Sequence, residues 1–191
     1  MASAYTPFAE LDERALVDAC LANHPGAFDV IVERHRRSVY QLCYRFVGNH
    51  EDASDLSQDV FLRAYRGLRN FRGQSALATW LYRIGVNVCL NRVKAKTPLS
   101  TLTESIDKRQ FVDVRAESAP ERMLKDERGA RVRAAIAQLP RKQRATLILR
   151  TYHEMSHQEI ADVLGSSVGT VKANFFHALG NLKKQLGDDK F

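Results

Sequence analysis

Apolar side chains recur at three- and four-residue intervals along most of this chain, the spacing that gathers them on one face of a helix. From Leu11 to Lys96 the pattern breaks only at Pro25-Gly26, around Gly48-Asn49 and in the FRGQS stretch from Phe71 to Ser75, which predicts four helices near 11–23, 27–47, 51–69 and 76–96. From Thr97 to Ala119 no apolar period is sustained: TPLSTLTESIDKRQFVDVRAESA holds Pro98 and mixes acids with Ser and Thr, the composition of a linker. Helical spacing returns over 120–138, 141–153, 156–164 and 168–186, with Pro140 at the start of one helix and Gly165 at the end of another. No run alternates as a half-buried strand does, and no segment repeats. The expected fold is all-α, with two small helical domains, 1–96 and 120–191, joined by a flexible linker over 97–119.

The last two helices carry signals of their own. Ser156-His-Gln-Glu159 fits a capping box, Gly165 suits the left-handed residue that stops a helix, and Ser166 or Ser167 is placed to cap the next one. Two short helices joined in this way form a helix-turn-helix, whose second helix normally enters the major groove. On that helix Val171, Phe175, Ala178, Leu182 and Leu186 share one side. The other displays Thr170, Ala173, Asn174, His177, Asn181 and Lys184, flanked by Lys172, Phe176 and Lys183. Donors, acceptors, cations and one exposed ring suit base edges beside a phosphate backbone.

Charge strengthens this picture. The chain carries a formal net charge of +7, which favours a polyanionic partner. Cys20, Cys43 and Cys89 are far apart and odd in number, and no Cys or carboxylate lies at ligand spacing from His153, His157 or His177, so neither a disulfide framework nor a metal site is expected. The N-terminus lacks a basic start followed by an apolar run, and no segment reaches the roughly 20 apolar residues of a membrane span. A cytoplasmic protein without membrane insertion is expected.

Within the first domain the charges are segregated. Glu51, Asp52, Asp55 and Asp59 open the third helix, after which no acid occurs before Glu104, while Arg63, Arg66, Arg69, Arg72, Arg83, Arg92, Lys94 and Lys96 accumulate. In the fourth helix Leu77, Leu81, Ile84 and Val88 line one side, and Tyr82, Val86, Cys89 and Val93 the far side. Between them Arg83, Asn87, Asn91 and Lys94 form a polar strip fitted to exposed bases and phosphates. Trp80 lies between stripe and strip, placed for the core or for a wedge at melted bases.

Two stretches also resemble a known family. DASDLSQDVFLRAYRGLRNFRGQSALATWLYRIGVNVCLNR, from Asp52 to Arg92, is similar to region 2 of the extracytoplasmic-function sigma factors of the sigma-70 family. LPRKQRATLILRTYHEMSHQEIADVLGSSVGTVKANFFHAL, from Leu139 to Leu179, is similar to their region 4, in the same order. The resemblance implies a subunit that brings bacterial core RNA polymerase to promoter DNA and is held inactive by an anti-sigma factor. It implies polymerase docking by Asp52, Asp55, Gln58, Asp59, Leu62 and Arg63. It implies minus-10 recognition by the base-capturing loop Asn70, Phe71, Arg72, Gly73, Gln74, Ser75 and Ala76 with Trp80, Arg83, Asn87, Asn91 and Lys94. Minus-35 recognition falls to Ser167, Thr170, Lys172, Ala173, Asn174, Phe176, His177 and Lys184. The family often has Ser-Arg at Ala173-Asn174 and Arg at His177 and Leu179, so this reading helix is less basic than usual. No phosphate loop, nucleophile motif or metal-ligand spacing points to an enzyme, a cofactor or a small-molecule substrate. The alternative is a free-standing helix-turn-helix regulator.

Overall fold

A computed structural model describes residues 8–95 and 119–187, without the side chains of 94–95 and 119–126. Most of the expected linker and the side chain of Lys94 therefore lie outside the described residues. The order is α1 (Glu13–Leu21), α2 (Ala27–Val47), α3 (His50–Gly67), a 3-10 turn (Leu68–Asn70), α4 (Leu77–Ala95), α5 (Ala119–Gln138), α6 (Arg141–Tyr152), α7 (His157–Leu164) and α8 (Val168–Leu186). Among the described residues there is no strand.

Helix ends follow local chemistry. Asp12 caps α1 by accepting from Ala15 N at 2.7 Å, so the helix opens at Glu13 and not at the first apolar residue, Leu11. Asn49 caps α3 by accepting from Asp52 N at 2.8 Å. The amide of Leu77, the first residue of α4, donates to Glu13 Oε2 at 3.3 Å, so α1 anchors the entry to α4. The expected linker ends one residue early, since Ala119 already opens α5.

α1 to α4 enclose one core, in which Leu16, Ile31, Val39, Leu42, Phe46, Val60, Leu77 and Leu81 are buried. α4 comes unusually close to α2 because it carries Gly85 mid-helix. A Cβ there would lie 2.7 Å from Leu42 Cδ2 and 3.7 Å from Val60. Helical glycine costs about 1 kcal/mol relative to Ala, and here the cost admits close packing. α6, α7 and α8 surround the second core of Ile148, Leu149, Ile160, Val171 and Ala178.

The two bundles touch. α4 lies against α7, and α2 against α6. Arg144 on α6 is buried, its guanidinium donating to the carbonyl of Phe46 on α2. Arg45 lies 3.9 Å above the ring of Tyr152. The sequence suggested two modules on a slack tether; the structure seats one on the other.

Candidate nucleic-acid interface

Three surfaces bear the residues singled out from the sequence. The first runs along α3, where Asp55, Gln58, Leu62 and Arg63 are exposed and Asp59 is half-buried, accepting from Arg63 Nε at 2.9 Å. Asp52 stands apart from them. Only 9% exposed, it accepts from Arg92 Nη2 at 2.6 Å through one oxygen and from Asn49 Nδ2 at 2.7 Å through the other. The structure adds Tyr65, which sequence reasoning passed over although it stands three residues after Leu62 on the same face. Leu62 and Tyr65 are 56% and 64% exposed, and Tyr65 packs edge-on to Phe28 at 5.0 Å. An apolar pair beside acids and an arginine has the make-up of a protein-binding surface.

The second surface joins the 70–76 loop to α4. Asn70, Arg72, Gly73, Gln74 and Ala76 are exposed, and Phe71 and Ser75 half-buried. Gly73 holds φ at 66°, a left-handed conformation that any side chain would strain. Phe71 turns inward against Trp80, ring centroids 5.3 Å apart. Trp80 is half-buried and also rests on Gly67, where an added Cβ would sit 3.6 Å from its ring. It thus supports the loop from beneath. Arg83, Asn87 and Asn91 form an exposed row along α4. The Arg83 guanidinium is already engaged, donating to Asp162 O at 2.5 Å.

The third surface is the helix-turn-helix. Both halves of the capping box form: Glu159 N donates to Ser156 Oγ at 3.2 Å, and Ser156 N to Glu159 Oε2 at 2.8 Å. The Ser156 hydroxyl and amide hold the Glu159 carboxyl below its ordinary range. Gly165 ends α7 at φ 56°, and Ser167 caps α8 by accepting from Thr170 N at 3.2 Å. Along α8, Thr170, Lys172, Ala173, Phe176, His177 and Lys184 face outward with Ser167, and Asn174 is half-buried. Phe176 is 75% exposed and Leu179 47%. Asn181, expected on the outer side, instead donates to Gln143 Oε1 on α6 at 2.8 Å and fixes α8 to its own bundle.

Groups missed from the sequence lie where the bundles meet. Tyr82 OH and His153 Nδ1 share a hydrogen bond at 3.2 Å, their rings 4.7 Å apart. Burial, aided by the Arg45 charge, pushes His153 down to about 4. Burial likewise lowers Arg144. Only periodicity on α4 hinted at this contact, through its second apolar side at Tyr82, Val86 and Cys89, of which Val86 and Cys89 are buried.

Among the described residues no group of three or more His, Cys, Asp or Glu could hold a metal, and no helix is long and apolar enough to cross a membrane. An exposed helix-turn-helix on one bundle and an exposed loop with a polar row on the other are features that a promoter-recognition protein needs. The comparisons with known proteins agree. Residues 31–98 match sigma-70 region 2 and residues 129–182 match sigma-70 region 4. The RNA polymerase sigma-H factor of Pseudomonas aeruginosa is 36% identical over 182 residues, covering 91% of this chain and 93% of that protein. The extracytoplasmic-function sigma-E factor of Escherichia coli is 35% identical over 175 residues, covering 88% and 91%. Among solved structures, CnrH in complex with the cytosolic domain of CnrY superposes with a TM-score of 0.67 at 25% identity, over 93% of this chain and 99% of that one. RpoE of Bartonella quintana, in complex with the anti-sigma factor NepR, shares the fold with a TM-score of 0.64 at 20% identity, over 86% and 99%. The chain belongs to the extracytoplasmic-function sigma factors of the sigma-70 family. It is a DNA-binding transcription-initiation factor that directs promoter-specific transcription.

Proposed function

We propose that the three surfaces divide the work of initiation among named residues. Asp55, Gln58, Asp59, Leu62 and Arg63, with Tyr65, dock on core RNA polymerase, and Asp52 holds α3 and α4 in register beneath them. Residues 70–76 and the row Arg83, Asn87, Asn91 and Lys94 take the opened minus-10 strand, and Trp80 backs the loop. Ser167, Thr170, Lys172, Ala173, Asn174, Phe176, His177 and Lys184 read the minus-35 duplex. The observation that carries this division is the exposure of Leu62 and Tyr65 on one bundle and Phe176 on the other, apolar groups that gain only when something covers them.

The chain captures DNA and catalyses nothing. Unstacking costs a few kcal/mol per base, offset by stacking, hydrogen bonds and phosphate neutralisation on the opened strand. Polymerase, by holding both modules, raises the effective concentration of the second contact once the first is made. The protein works in the cytoplasm, where polymerase and promoter are. Control by an anti-sigma factor is supported by its likeness to CnrH, solved with the cytosolic domain of CnrY.

Core polymerase supplemented with the purified chain should transcribe a discrete set of promoters silent with core alone. Leu62→Ala with Tyr65→Ala should weaken core binding by roughly tenfold or more with helix content intact. A chain that forms no stable complex with core rejects the reading.

A further inference from the structure

The seam where α4 meets α7 and α2 meets α6 is one long-range tie on α4. A second is made at its first residue. Ala76 stands at the N-cap of α4, its carbonyl accepting from Trp80 N at 3.2 Å, and an alanine there has no side-chain oxygen to offer the amides of the first turn. The acceptor comes instead from Glu13, 64 positions earlier, whose Oε2 takes the Leu77 amide at 3.3 Å.

Glu13 is available for this because Asp12 already caps α1, accepting from Ala15 N at 2.7 Å. Its other oxygen lies 3.7 Å from His35 Nε2 on α2, a buried nitrogen with no hydrogen bond among the described residues. Arg34 Nη2 donates to the carbonyls of Ala9 and Leu11 at 2.9 and 2.6 Å and pins the segment before α1 to α2. Glu13 is thus presented to α4 from a fixed support.

The 70–76 loop is fastened at both ends, and differently. At its entry Leu68 is buried, Phe71 N donates to Leu68 O at 2.9 Å, and the Phe71 ring packs on Trp80. At its exit Leu77 is buried and its amide is held by Glu13. Arg72, Gly73, Gln74 and Ala76 stand exposed between the two, so the span the loop must bridge depends on where α4 begins. A frayed first turn would lengthen the loop and let it wander. A loop that grips a base loses that freedom on binding, whereas a fastened one has lost it already.

We propose that Glu13 is a positioning residue for strand capture: by capping α4 from α1 it fixes the exit of the 70–76 loop and shapes the loop before a base arrives. The inference rests on assigning that loop to the opened minus-10 strand. Glu13 touches no DNA here and acts through Leu77 and the first turn of α4. Its side chain is 46% exposed, so its removal takes away the cap without opening the core.

The test uses the full chain, free and bound to core polymerase. Trp80 is the only tryptophan and backs the loop, so its quenching by acrylamide reads the loop in the free protein. Glu13→Ala should be quenched at least about twofold more efficiently than wild type, whereas Glu13→Gln, which keeps an acceptor oxygen at the same reach, should stay near wild type. With core polymerase on a promoter that the wild type transcribes, permanganate reactivity of the minus-10 thymines should fall about fivefold in Glu13→Ala, the factor a helix cap carries, and less than about twofold in Glu13→Gln. Core affinity and protection of the minus-35 duplex should be unchanged. Glu13→Ala with wild-type quenching or wild-type promoter opening overturns the proposal. So does Glu13→Gln as defective as Glu13→Ala, or a loss of opening matched by an equal loss of core affinity. Should Glu13→Ala lose helix content, Glu13→Asp, which keeps the acid in α1 but withdraws the acceptor by one methylene, is read in its place. Wild-type transcription is read separately: its absence rejects the functional reading and the proposal with it. In an active protein, unchanged quenching rejects only the part given to Glu13, whereas raised quenching with unchanged opening removes the loop itself from strand capture.

Discussion

Arg92 Nη2 reaches Asp52 Oδ1 at 2.6 Å and ties the first turn of α3 to the last turns of α4. The Asp52 side chain is 12% exposed and that of Arg92 46%, so the carboxylate is the member that depends on the pair. Asp52→Ala should lower stability by about 1–3 kcal/mol, because Arg92 and Asn49 lose an acceptor at the junction. That is a fall of several degrees in melting temperature, roughly 4–8 °C per kcal/mol for a bundle of this size. Core affinity at low temperature should change less than in Leu62→Ala, and the comparison of melting curves with core-binding titrations separates a positioning aspartate from a contact one.

Two helical glycines should respond in opposite directions to alanine. Gly180, mid-α8, has nothing within 4 Å of an added Cβ, so Gly180→Ala should gain about 0.5–1 kcal/mol from helix propensity. Gly85→Ala gains the same propensity but drives its methyl to 2.7 Å from Leu42 Cδ2 in a closed core, an overpacking worth about 1–3 kcal/mol. The net should be a loss, read directly by chemical denaturation of both variants.

What could be read from the chain alone was what is local. The Ser156–Glu159 box, the Gly165 stop and the Ser167 cap are bonds between residues three or four apart, and all three form. Periodicity also placed the stripes of α4 and α8, because a helix converts spacing into faces. Periodicity says which residues share a face and not what meets it. Hence Asn181 read as an outer residue until Gln143, 38 positions away, claimed it. Asp52 read as part of an acidic docking face although Arg92, 40 positions on, draws it inward. Nothing local distinguishes Arg144 from its neighbours Arg141 and Lys142; its burial depends on a bundle almost 100 residues earlier. The seam escaped for the same reason, since the composition of 97–119 speaks to the connection and not to whether the surfaces at its ends fit.

His153 makes the seam sensitive to pH. Its folded value of about 4 lies below the ordinary 6.5 because burial, and then Arg45, disfavour the imidazolium; Tyr82 on α4 and Arg45 on α2 face it. An opened chain binds the proton more readily than a closed one, so closure is at full strength above pH 6.5 and is lost progressively as pH falls toward 4. By pH 5 the loss should be on the order of 1–2 kcal/mol. His35, also lowered by burial, weakens the first bundle as pH falls below its ordinary value, whereas Glu159 is held below its own ordinary range by the Ser156 hydroxyl and amide. Radius of gyration is thus a better readout than melting. It should rise from pH 7 to pH 5 in wild type and stay flat in His153→Gln.

Phe176 offers the cleanest separation of folding from recognition. Its ring is 75% exposed and lies 5.8 Å from the ring of His177, while the residues that hold α8 to its bundle, Val171, Ala178 and Asn181, occupy the other side. Truncating both rings removes almost no buried area, so Phe176→Ala with His177→Ala should leave stability within about 0.5 kcal/mol of wild type. If the two rings meet thymine methyls, sugars or base edges in the major groove, the variant should lose promoter-directed transcription by tenfold or more, since each good base contact is worth about 1–3 kcal/mol of discrimination. Core binding, which we propose to run through α3, should be untouched. The loss should also fall unevenly across promoters, because base contacts discriminate where phosphate contacts do not. Sequencing transcripts made by wild type and variant with the same core measures both. A uniform decline would place the rings against the backbone, and an unchanged transcript set would remove them from the reading surface.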